Sequence, residues 1–102
     1  MDLAVQLQPD DPTLRYRYAE VLVRAKRDGD AAAQLRKAIA LDPWYGRPHL
    51  LMARIADVEQ YTDDAITEYK AFLAVASKTD HQLLIARVRL SKLTTIASSQ
   101  AQ

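Results

Sequence analysis

The segment Ala4-Val5-Gln6-Leu7-Gln8-Pro9 returns, in type and internal spacing, as Ala38-Ile39-Ala40-Leu41-Asp42-Pro43, 34 residues further on. At the same offset Ala31 falls on Ala65, Leu35 on Tyr69, Ala38 on Phe72 and Leu41 on Val75. Ala19 falls on Ala53, and Tyr18, Met52 and Ala86 form a further row. A register kept in step twice constrains the fold strongly, because a unit of this length buries its apolar face only by stacking on neighbours. Only two glycines occur in 102 residues, which argues against glycine-rich phosphate loops and hairpin-rich β folds. The chain therefore reads as all-α.

Each period reads as two short amphipathic helices. Asp11-Pro12 supplies an N-cap followed by a proline in the first turn, where a missing N–H costs little. Leu14, Tyr18, Val21-Leu22 and Ala25 then recur at helical spacing until Asp28-Gly29, the expected break. Ala31, Leu35, Ala38-Ile39 and Leu41 mark a second helix that stops before Asp42-Pro43, since a residue preceding proline is pushed out of the helical region. Residues 46–60 repeat the first helix, and Thr62 is the expected N-cap of the next, which carries Ala65-Ile66, Tyr69, Phe72-Leu73 and Ala76 on one face. A last segment opens at Thr79-Asp80, runs through Leu83, Ala86, Leu90 and Leu93, and fades into a tail over 98–102.

On these residues the chain resembles the tetratricopeptide repeat family, whose unit is a 34-residue helix–turn–helix with small residues at fixed positions. The matching positions are Tyr18, Ala19, Leu22, Ala31, Leu35, Ala38 and Pro43, then Met52, Ala53, Ala56, Ala65, Tyr69 and Phe72. Departures are Arg15 and His49 where the family often has an aromatic, Phe72 where it usually has alanine, and Ser77 where proline often ends the unit. The resemblance implies a right-handed superhelical stack of antiparallel helix pairs, a tetratricopeptide-like α-solenoid. Its parts are the second half of a truncated repeat over 1–10, full units over 12–45 and 46–79, a capping helix over 80–97 and the tail. The chain is then expected to be a portion of a longer array.

The resemblance also implies a function: a concave groove, lined by the first helix of each unit, that holds a peptide segment of a partner protein. Carried across in register, the expected partner-binding residues are Tyr16, Glu20, Arg24, Arg47, Leu50, Arg54, Asp57, Leu84 and Val88. Tyr16, Leu50 and Leu84 occupy equivalent positions and are expected to stack as an apolar stripe flanked by Arg47 and Arg54. That pattern suits a peptide with an apolar and an acidic anchor. Glu20 and Arg54 are also equivalent, which leaves open a plain surface ion-pair ladder. Co-chaperones of this family that grip a C-terminal carboxylate need lysine, asparagine and arginine where this chain has Tyr16, Glu20, Leu51, His81 and Ile85. A carboxylate-clamp role is therefore not expected. The alternatives are a self-association element, with the half-repeat of one copy meeting Leu84, Ile85 and Val88 of another, and a targeting appendage of an enzyme.

Charge and chemistry point the same way. The formal net charge of +1 conceals ten basic and four acidic residues on the first-helix segments 12–27, 46–60 and 80–97. Part of that asymmetry is dipole matching, with Arg24, Lys26 and Arg27 closing one helix and Asp28 and Asp30 opening the next. Basic residues are not interleaved with stacking aromatics, so nucleic acid is not an expected partner. Without cysteine, and with only His49 and His81 as histidines, no metal-ligand set forms and no thiol nucleophile exists. His49 is expected in the core or half-buried, and Trp44-Tyr45 as a cover for the turn between units. No catalytic residue, cofactor or metal is expected. No signal segment or membrane-spanning run is visible, so the compartment defaults to the cytoplasm.

Overall fold

A computed structural model describes residues 8–100. The described residues form five α-helices and no strand: α1 Pro12–Arg24, α2 Asp28–Leu41, α3 Gly46–Val58, α4 Thr62–Val75 and α5 Gln82–Gln100. The expected half-repeat over 1–10 lies largely outside the described residues. The all-α reading holds, and the repeat is geometrical as well as textual. α1 and α3 have 13 residues each, α2 and α4 have 14, and each start and stop is displaced by the 34 residues of the sequence register.

That period is set by how the first helix of each pair is stopped. Among the described residues Lys26 and Gln60, themselves 34 apart, are the two non-glycine residues with positive φ, at 61° and 64°. In the first pair Lys26 N–H donates to Val23 O at 2.9 Å and Arg27 N–H to Leu22 O at 2.8 Å. In the second, Gln60 N–H donates to Asp57 O at 3.1 Å and Tyr61 N–H to Ala56 O at 2.8 Å. A left-handed residue just past the helix end satisfies carbonyls that would otherwise lack partners. The break was expected at Asp28-Gly29, but it falls two residues earlier. Asp28 and Gly29 open α2 instead, and Asp28 and Asp30 place negative charge in its first turn.

The caps divide into expected and unexpected ones. Asp11 Oδ1 accepts from Thr13 N–H at 2.9 Å and Leu14 N–H at 3.2 Å, with Pro12 opening α1. Thr62, by contrast, is inside α4, and Tyr61 stands at the N-cap without a side-chain bond, because the turn at Gln60 already fixes the chain direction. Asp42 ends α2 in extended geometry before Pro43, with φ −148° and ψ 89°.

The chain divides into two compact units, Met1–Pro48 and His49–Gln102, so the division falls inside α3. In the first unit α1 packs on α2, and the buried residues are Ala19 and Leu22 on one helix and Ala31, Leu35 and Ala38 on the other. The second unit has a core drawn from three helices: Leu50, Ala53 and Ala56 of α3, Ala65, Tyr69 and Phe72 of α4, and Ala86 and Leu93 of α5. Phe72 is among the largest fully buried side chains and stands at the register position of Ala38. The alanines at 19, 31, 53 and 65 have no exposed surface, as close helix approach requires.

α5 departs from the pattern. Its 19 residues pass straight through Thr94, the third-period counterpart of Lys26 and Gln60. Thr94 Oγ1 bonds back to Leu90 O, and Thr95 Oγ1 to Ser91 O at 3.0 Å. The helix therefore includes Ser98 and Ser99, in place of the tail expected over 98–102.

A side chain with a Cβ in the left-handed region costs roughly 1–2 kcal/mol. Lys26→Gly and Gln60→Gly are each expected to raise stability by about 1 kcal/mol in urea unfolding. A loss in either variant would show that these turns carry no such strain.

Candidate functional site

In the first unit, Tyr16 and Tyr45 meet edge to face, with ring centroids 5.8 Å apart and planes at 73°. Tyr16 Oη donates to Glu20 Oε2 at 3.3 Å. Burial raises the Tyr16 hydroxyl above its ordinary pKa, reinforced by the Glu20 carboxylate and opposed by Arg47. Burial likewise raises Tyr45, against a hydrogen bond with Thr13 and the charges of Arg17 and Arg47. Tyr16, Glu20 and Arg47 therefore do lie in one neighbourhood, while Arg24 is exposed in the last turn of α1. Trp44 does not cover a turn: it is 79% exposed, with its backbone N–H bonded to Asp42 Oδ1 at 3.1 Å. Tyr45, packed on Tyr16, does the covering in its place.

A polar contact recurs in register with the helices. Arg15 Nη1 donates to Gln34 Oε1 at 2.8 Å, and the residues 34 further on, His49 and Glu68, approach to 3.5 Å between Nδ1 and Oε1. His49 is 8% exposed, so it belongs to the core as expected.

In the second unit α3 and α5 are joined at two levels. Arg54 Nη2 donates to Gln82 Oε1 at 2.7 Å. One turn further, Arg89 grips Asp57 with two bonds, Nε to Oδ2 at 2.5 Å and Nη2 to Oδ1 at 2.6 Å. Tyr69 of α4 donates its hydroxyl to the same carboxylate at 3.1 Å. One carboxylate thus ties three helices. The Arg89 guanidinium holds Asp57 below the usual carboxylate range, and burial together with Asp57 pushes Tyr69 up to about 12. Asp57, Arg89, Leu93 and Ile96 also border a cleft of about 540 Å³ with Val58, Gln60, Thr62 and Asp63.

Leu50 is the expected site residue that the structure relocates. It is 4% exposed and part of the second unit's core, so it offers no surface to a partner. Leu84, at the equivalent position one period on, is 69% exposed. The expected stripe therefore does not continue from Leu50 to Leu84. On α5, Leu84, Ile85 and Val88 are exposed at 69%, 58% and 48%, and line a shallow recess with Arg89 and Lys92. Arg54 is exposed on α3, where it bonds Gln82, and Asp57 is occupied by its three bonds.

Asp57, expected to face a partner, is held in a clamp whose members lie 12 and 32 residues away in sequence. A signal existed in the register. Asp57, Tyr69 and Arg89 stand where the preceding period has Val23, Leu35 and Ile55, three polar replacements at apolar positions. Among the described residues no group of three or more His, Asp or Glu is placed to hold a metal ion. No described helix is long and apolar enough to cross a membrane. Compared with known proteins, the chain matches no family model and no curated protein.

The clamp sets a pH dependence. Folding favours ionised Asp57, so its contribution is complete above a free aspartate's pKa of about 3.9 and is lost as the pH falls through its lower folded value. Folding favours neutral Tyr69, so that contribution holds below about 10 and is lost as the pH rises towards 12. Asp57→Asn is expected to cost about 1–2 kcal/mol at pH 7, less than a buried pair because Arg89 is partly exposed. Urea midpoints at pH 7 and pH 3 should converge for the variant relative to the parent. An unchanged acid dependence would remove Asp57 as its source.

Proposed function

We propose that this chain is a non-enzymatic protein-interaction module of the tetratricopeptide type, a portion of an α-solenoid that captures a segment of a partner protein. Support for the architecture comes from the two helix pairs, equal in length and stopped by equivalent left-handed turns 34 residues apart. One observation carries the function: α5 leaves Leu84 and Val88 largely exposed, on a helix fixed to α3 by Arg54–Gln82 and Asp57–Arg89. Apolar side chains held open on a fixed helix lower the ordering cost of capturing a segment. Arg54, exposed on α3, supplies a cation suited to an acidic group on the partner. The module needs no cofactor or metal for this role.

The test is selection of peptides from a random displayed library on the immobilised full chain. Enriched peptides are expected to pair an apolar anchor with acidic residues. Leu84→Asp is expected to weaken them about tenfold, the loss of one buried apolar contact, and Arg54→Glu to weaken them less. Both substitutions fall on exposed side chains, and circular dichroism confirms that the variants fold. No enrichment, or equal capture by both folded variants, would overturn the reading.

A further inference from the structure

The exposed face of α5 has a counterpart that is already covered. Leu50 of α3 is Leu84's register equivalent, and it is buried in a core to which α5 contributes Ala86 and Leu93. At this position α3 is closed by a core of packed helices, and α5 is tied to α3 by Arg54–Gln82 and Asp57–Arg89. α5 presents the same position, with Ile85 and Val88 beside it, and the described chain supplies no further helix to cover it. We infer that this face receives an acidic amphipathic helix of a partner protein, laid along α5 over Leu84, Ile85 and Val88 and held by Arg87 and Lys92. The inference rests on the interaction-module reading and names the partner's chemistry.

Charge selects the occupant. α5 carries Arg87, Arg89 and Lys92 and no acidic residue. Arg89 is neutralised by Asp57, which leaves Arg87 and Lys92 exposed, one turn on from Leu84 and from Val88. A helix that buries the three apolar side chains must bring its flanks against these cations, and carboxylates there form charge-assisted bonds. The described helices of a second copy are poorly suited. Two α5 helices would set like charges together, and α1 carries Arg15, Arg17 and Arg24 against one acid, Glu20. α4 has acids, but its apolar residues Ala65, Tyr69 and Phe72 are already buried.

The probes are two synthetic amphipathic helical peptides with the same apolar stripe, flanked in one by glutamate and in the other by lysine. They are titrated into the isotope-labelled full chain and followed by amide chemical shifts. The glutamate peptide is expected to bind about tenfold more tightly, with shifts concentrated on α5. Arg87→Glu with Lys92→Glu should reverse the preference, and Leu84→Asp should weaken both peptides while helicity is unchanged. Equal affinity for both peptides, or no shift with either, would overturn the inference. Shifts confined to α1 and α3 would also overturn it, while leaving the module reading intact. So would sedimentation showing a dimer with α5 protected, because a second copy would then be the occupant.

Discussion

The structure depends on where a helix is made to stop. A residue forced into the left-handed region at Lys26, and again at Gln60, turns an amphipathic helix back on itself after 13 residues. Neither residue is glycine, so each turn runs against its own steric preference and is held by paired backbone bonds and by the helix that follows. At Thr94 the same position lacks any such turn, and threonine hydroxyls bond back into a helix that simply continues. The exposed face of α5 follows directly: a helix without a return has no successor in the described chain to bury its outer side.

Within one register the two units are stabilised differently. The first closes over alanine and leucine, with Ala38 and Leu35 at the positions where the second has Phe72 and Tyr69. Larger side chains in the second unit demand a third helix, and α5 meets them with Ala86 and Leu93. The tyrosine brings a hydroxyl into that core, and a buried hydroxyl without a partner is costly. Asp57 resolves this, and Arg89 in turn resolves Asp57. The polar clamp thus satisfies each of its members in turn, the Tyr69 hydroxyl by Asp57 and the Asp57 carboxylate by Arg89.

The period, the all-α class, the Asp11 cap and the small residues at 19, 31, 53 and 65 were legible because each is a local or periodic property of the sequence. The stop at Lys26 and Gln60 was not, since neither is a glycine and Asp28-Gly29 offered a stronger but misleading break. Leu50 was misread for a related reason. Equivalence in register assigns the same face to Leu50 and Leu84, but whether that face is open depends on whether another helix follows. Periodicity marks the positions; the helices packed around each one decide its exposure. The Asp57–Tyr69–Arg89 clamp escaped because its charges are far apart in sequence, although three polar residues at formerly apolar positions mark it in the alignment of periods.

Arg87 sets a charge requirement on the exposed side of α5. It occupies the position of Ala19 and Ala53, both without exposed surface, where the second helix of each pair approaches its first. A helix arriving at α5 in that manner would have to bury a guanidinium, at a cost of several kcal/mol unless it brought a well-placed carboxylate. Leu84, Ile85 and Val88 impose the opposite requirement, since their exposure is relieved by any apolar surface that fits. The two demands together are selective. A neutral apolar helix satisfies the leucine and leaves the cations poorly solvated, whereas an acidic unstructured chain satisfies the cations and leaves the apolar side chains in water. Only a surface with apolar and acidic groups in helical register answers both.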